Sequence, residues 1–143
     1  MTVSYKTCQV KYGPAEKESH MTLWDVPPHL EIGAIPKRLY CNGDMIAPLE
    51  QAFKNIILRG LTYQLKTFDG CFNIRKKVQG NTPSLHSWGV AVDINAAWNG
   101  YGKKPTMTKE LVACFTDAGF DWGGNWSMPD GMHFQLSNLG VIK

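Results

Sequence analysis

No apolar run in the 143-residue chain approaches the roughly 18 residues that a membrane-spanning helix needs. The opening residues, Met1-Thr2-Val3-Ser4-Tyr5-Lys6, lack the charged-then-apolar pattern of a secretory signal. None of the four cysteines (Cys8, Cys41, Cys71 and Cys114) forms a CxxC pair, which excludes a zinc ribbon and a thioredoxin motif. Spaced 33, 30 and 43 residues apart in a chain without an export signal, they are expected to be buried or semi-exposed free thiols, not disulfides. Internal repeats and low-complexity tracts are also missing. Charge of one sign is scarce: fifteen Lys+Arg against twelve Asp+Glu leave +3, too little for a dedicated nucleic-acid binder.

The length and the 43% hydrophobic content suit one domain with a proper core, here expected over 1–143 with residues 1–39 as an arm packed on it. The charge is clustered. Residues 54–77 carry Lys54, Arg59, Lys66, Arg75, Lys76 and Lys77 against Asp69 alone, a local +5 that hints at an anionic partner.

The first 35 or so residues are polar and turn-rich, and Val26-Pro27-Pro28 and Ile35-Pro36 bias the backbone to extended conformations. An arm with at most one short strand is expected there. Leu49, Phe53, Ile56 and Ile57 recur at helical spacing after Pro48 and before Gly60, which predicts a helix. The alternation over Thr62–Phe68 predicts a strand, and Gly89–Asn95 a second. Thr108 is placed to cap a helix over Lys109–Ala118, with Gly119 as its stop. Pro129-Asp130-Gly131 is a turn signal before a last strand around Met132–Leu136. Two helices and several short strands without βαβ alternation point to α+β with an antiparallel sheet.

Within this frame Asp93 is out of character: an acid in a β-branched strand needs a cation or several donors if it is buried. With His86 and His133 it would supply two imidazoles and one carboxylate, a set that suits a catalytic zinc site with a fourth position left for water. Asp130 is the candidate general base. Strand geometry would point residues three apart to opposite faces, but the Pro-Asp-Gly turn can curl Asp130 back towards His133. By the residues alone, the alternative is equally open that the histidines are ordinary core or surface residues and Asp130 only a turn former. Trp88, Trp122 and Trp126 suit either core packing or a groove wall. Gly89 and Ala91, on the Asp93 face, would leave room for metal and substrate, and Gly123-Gly124 would allow a tight turn nearby.

The pattern Ser84-x-His86-x-x-Gly89-x-Ala91-x-Asp93, with Trp122-Gly123-Gly124-x-Trp126 and Asp130-x-x-His133-Phe134 after it, resembles the D-alanyl-D-alanine carboxypeptidase family of zinc peptidases. VanY-type carboxypeptidases, vancomycin-resistance dipeptidases and phage endolysins are among its members, and Gly70-Cys71-Phe72-Asn73-x-Arg75-Lys76 is similar to the segment before the first histidine in phage-type members. The resemblance covers roughly residues 40–143. It implies a Hedgehog/DD-peptidase-like α+β fold, a small antiparallel sheet flanked by helices. It implies Zn2+ held by His86, Asp93 and His133, and a general acid/base at Asp130, where many relatives carry Glu. Arg75 would hold the substrate carbonyl or its developing oxyanion, and Ser84 would lie near substrate, with Trp88 and Trp126 as further candidate substrate contacts.

The implied activity is hydrolysis of peptide bonds in bacterial peptidoglycan stem peptides. The bond would be L-Ala–D-Glu or a cross-bridge (an endopeptidase), or terminal D-Ala-D-Ala (a carboxypeptidase). A phage-type lysin is expected, made in the cytoplasm without a signal peptide and acting on the wall after release. A monomer is expected, with no nucleic-acid partner, no membrane insertion and no separate wall-binding domain. Wall affinity would then come from the basic block at 54–77. The alternative is a non-catalytic zinc- or wall-binding module on the same fold.

Overall fold

The computed structural model describes residues 3–77 and 80–140, and among these described residues are three α-helices and six strands. The N-terminal arm is more structured than its composition suggests. Tyr5–Tyr12 forms helix α1, opened by Ser4, whose hydroxyl accepts from Thr7 N in a capping box, and followed by Gly13 at φ 78°. Strands β1 (Met21–Asp25) and β2 (Arg38–Asn42) then pair antiparallel as a separate two-stranded sheet. The expectation of at most one strand and no helix is therefore corrected. α1 escaped notice because Cys8 is its one buried residue and its core-facing stripe is otherwise only the half-buried Tyr5 and Tyr12.

Helix α2 (Ile46–Leu58) buries Leu49, Ala52, Phe53 and Ile56, close to the stripe expected from spacing. Helix α3 (Lys109–Thr116) is capped by Thr108, whose Oγ1 accepts from Leu111 N at 3.1 Å. The strand expected over Thr62–Phe68 is not there. Thr62–Gln64 is a 3-10 turn, and only Phe68–Gly70 is extended, as β3. The Asn95 side chain explains this, because its Oδ1 accepts from Lys66 N and Thr67 N at 2.8 and 3.1 Å. Those donors are taken by a side chain instead of a ladder.

The second sheet has the order β3-β4-β6-β5, all antiparallel, with β4 Ala91–Ile94, β5 Phe120–Trp122 and β6 His133–Leu136. Period-two alternation gives its faces opposite jobs. On one face Val92 pairs with Phe134, and helix α3 covers them: Phe115 stacks on Phe134 with ring centroids 4.5 Å apart. Phe53 of α2 meets Phe68 edge-on at the other end. The opposite face carries Ala91 and Asp93 from β4 and their cross-strand partners Gln135 and His133 from β6. The helix-covered face builds the core; the other face is left for chemistry. The buried core runs from Val3 to Leu139 and so includes residues of the arm. The architecture is α+β, as the sequence pattern indicates. All four cysteines are buried free thiols.

Candidate metal centre and cleft

Asp93 and His133 are directly opposed on β4 and β6, in register and on the same face. His86 arrives from a 3-10 turn, Leu85–Trp88, that precedes β4. Ser84 caps that turn, its side chain accepting from His86 N at 3.3 Å. His86 Nε2 lies 3.2 Å from Asp93 Oδ2, and His133 Nδ1 lies 3.6 Å from Asp93 Oδ1. One donor atom from each of the three residues falls within 4.8 Å of the others. The two imidazoles meet edge to face with centroids 5.1 Å apart. His86 and His133 are 3% and 7% exposed, so little water reaches them.

Neighbouring groups decide which nitrogen of each ring is free. A carbonyl oxygen can only accept, so the 2.7 Å contact between His86 Nδ1 and Cys71 O places the proton on Nδ1. Its Nε2 then presents a lone pair to Asp93. His133 Nε2 stands 3.0 Å from Gln135 Oε1, another acceptor, which leaves Nδ1 as the free nitrogen. Neutral rings so arranged aim lone pairs at a carboxylate, an arrangement that repels unless a cation sits among them. His86 Nε2 and Asp93 Oδ1 are in fact buried without any hydrogen-bond partner. Donors about 2.0–2.2 Å from a tetrahedral ion stand roughly 3.3–3.6 Å apart, close to the two separations above. The residues fit a bound zinc-like ion.

Burial opposes the negative charge of Asp93; His133 and His86 lower its pKa by hydrogen bonding and charge when their facing nitrogens are protonated, and with neutral rings a bound cation takes that part. Asp130 shifts the other way. Burial raises it, with the Asp93 charge adding, while His133, His86 and Arg75 pull against the rise. Asp130 Oδ2 is 4.0 Å from His133 Nδ1, so the turn does bring the two side chains together. The turn is closed by His133 N donating to Asp130 O at 3.1 Å, while Asp130 N donates to Gly123 O at 2.9 Å. A Cβ on Gly123 would come within 2.6 Å of Asp130 O and 3.3 Å of His133 Cβ, so only glycine lets the 123–126 turn approach this closely.

Asp130 and His133 open onto a cleft of about 440 Å³, whose lining includes Arg75, Lys77, Ser84, Tyr101, Trp126 and Met128. Trp126 is 41% exposed, with its ring 5.3 Å from His133, and forms a wall of the cleft. Trp88 does not. It is 1% exposed, and its Nε1 donates to Gly13 O at 2.9 Å, which makes it a core residue tying the arm down. Trp122 is likewise a packing residue, stacked on Phe134 with Nε1 donating to Gly131 O. Gly89 is corrected too. At φ 67° it ends the 3-10 turn, and a Cβ there would meet Met21 at 2.6 Å and Asn42 N at 2.8 Å, so its small size serves the contact with the first sheet.

The basic block is dispersed by folding. Arg59 pairs with Asp117, Lys54 with Glu50, and Lys66 lies over the Trp98 ring. Arg75 and Lys77 are the members that line the cleft. Arg75 is solvent-exposed, with Nη1 donating to Lys76 O, and its charge reaches Asp130. Gln135, Tyr101 and Met128 were not singled out from the sequence. Gln135 could have been, since it lies two residues after His133 on one strand and so shares its face. Tyr101 and Met128 come from loops and carry no such signal.

No curated protein and no solved structure matches the chain. Residues 78–136 match the family model described as D-alanyl-D-alanine carboxypeptidase. That segment holds His86, Asp93, Asp130 and His133, while Arg75 lies just before it. The family that the motifs resemble is thus the one whose model this segment matches.

Proposed function

We propose that the protein is a zinc-dependent peptidase that hydrolyses peptide bonds in the stem peptides of bacterial peptidoglycan, most simply as a phage-type lysin. The observation that carries this reading is the convergence of two buried, unpartnered polar atoms, His86 Nε2 and Asp93 Oδ1, with His133 beside a half-buried acid at the cleft. His86, Asp93 and His133 would hold the ion. When bound, zinc polarises a carbonyl and acidifies a coordinated water.

The remaining chemistry falls to the chain's own groups. Asp130 is the base that takes a proton from the attacking water and the acid that returns it to the leaving amine nitrogen. The Arg75 guanidinium, on the same cleft, stabilises negative charge as it grows on the scissile oxygen. Ser84 holds the His86 turn from below, and Trp126 offers a flat apolar wall to the peptide. Stem peptides carry carboxylates, to which Arg75 and Lys77 are complementary. The bond is the L-Ala–D-Glu or cross-bridge amide, or the terminal D-Ala-D-Ala.

The test is turnover of purified peptidoglycan by the intact chain. Activity is expected to vanish with a chelator and return with zinc, and His133→Ala is expected to be folded and inactive. Full activity in a metal-free preparation refutes the reading. An effect on cells that survives Asp130→Asn unchanged would instead identify a non-catalytic binding module.

A further inference from the structure

The two imidazoles are held by different kinds of partner. Cys71 O, which accepts from His86 Nδ1, is a backbone carbonyl that any residue at 71 would supply. Among the described residues His133 has no such backbone acceptor; its Nε2 meets the side-chain oxygen of Gln135 at 3.0 Å. Strand geometry makes this contact available, because residues two apart on β6 share a face. On β4 the cross-strand neighbour of Gln135 is Ala91, whose small side chain leaves the amide room to fold back onto the ring; on β5 it is the exposed Asp121. Gln135 is half-buried at the edge of the cleft, so the contact is only partly exposed to competing water.

We infer that Gln135 is a positioning residue for the metal centre. Its side-chain carbonyl accepts the His133 Nε2–H, fixes the ring plane, and keeps the Nδ1 lone pair aimed at the space beside Asp93. Without it, the neutral ring can place its proton on Nδ1, where it points at Asp93 and blocks a cation. The ring is also free to rotate. Partners of this kind on ligating histidines typically contribute 10–100-fold in metal affinity. This inference rests on the metal-binding reading proposed above.

The test compares wild type, Gln135→Leu and Gln135→Glu by zinc competition against a chromophoric chelator, without substrate. Gln135→Leu is expected to weaken zinc binding about 10–100-fold, and Gln135→Glu, which keeps an acceptor, to restore it. By NMR of the zinc-loaded wild type, the His133 Hε2 proton is expected to exchange slowly with solvent, and to exchange fast in Gln135→Leu. Wild-type affinity in Gln135→Leu overturns the inference, as does an equal loss in both variants, which would mark simple packing. A freely exchanging Hε2 in the wild type overturns it without any variant having to fold. A wild-type chain that binds no zinc fails at the first titration and removes the metal-binding reading as well, a result distinct from all of these.

Discussion

Gly123→Ala is a steric probe of the proposed base. Gly123 does not have a positive φ, so alanine costs nothing in backbone conformation, and the effect comes from contact alone. The new Cβ would lie 2.6 Å from Asp130 O and 3.2 Å from Asp130 Cβ, whereas ordinary contact begins near 3.4 Å. The carbonyl must therefore retreat by about 0.8 Å, and it is the acceptor for His133 N, so the base and a metal ligand move together. A misplacement of about 1 Å is enough to cost roughly 100-fold in rate. Local overpacking costs about 1–3 kcal/mol in stability, which leaves a chain of this size folded. Peptidoglycan turnover is thus expected to fall about 100-fold in kcat/KM while the circular dichroism spectrum stays native. Undiminished kcat/KM in Gly123→Ala would refute the placement of Asp130 at the reaction.

Other outcomes follow from the same structure. Thr108→Ala removes the cap on Leu111 N and is expected to cost about 1 kcal/mol, read as a fall of a few degrees in Tm with kcat/KM unchanged. Trp88→Ala is expected to destabilise the fold by about 3–5 kcal/mol, because the ring is buried and bonded to Gly13, while Trp126→Ala raises KM and leaves Tm nearly unchanged. Urea titrations and steady-state kinetics separate the two. Burial works against the Asp44 charge, but Tyr12 and Lys11 donate to it and lower its pKa overall. A depressed carboxylate contributes stability above its unfolded pKa, near 3.9, and loses it as pH falls through the folded value. Asp44→Asn is therefore expected to be less stable than wild type at neutral pH, with the gap closing below about pH 4.

The parts of the molecule that could be read from sequence are those where one period dominates. Helix α2 shows its stripe, Thr108 announces α3, and the alternation of Val90, Val92 and Ile94 marks β4. The site was legible for a related reason. An acid among β-branched residues is out of place, and the turn before His133 supplies the curl that Asp130 needs. What stayed hidden depends on contacts distant in sequence. The Asn95 side chain takes the backbone donors of 66 and 67, so a strand-like stretch becomes a turn. Gly89 is small because of Met21 and Asn42, more than forty residues away. Helix α1 turns only Tyr5, Cys8 and Tyr12 to the core, a weak stripe, and the Ser4–Thr7 capping box is its clearer sign. The local +5 of 54–77 was real as arithmetic, but folding directs only Arg75 and Lys77 to the cleft.

The proposed reaction adds water across a peptide bond of the bacterial wall at a zinc ion held by His86, Asp93 and His133. Mass spectrometry of purified peptidoglycan treated with the zinc-loaded chain tests it most directly. Fragments cut within the stem peptide are expected, each cleavage adding one water and leaving the glycan strand whole, and none after chelation. Cuts in the glycan, or peptide cuts that persist in His133→Ala, would contradict it.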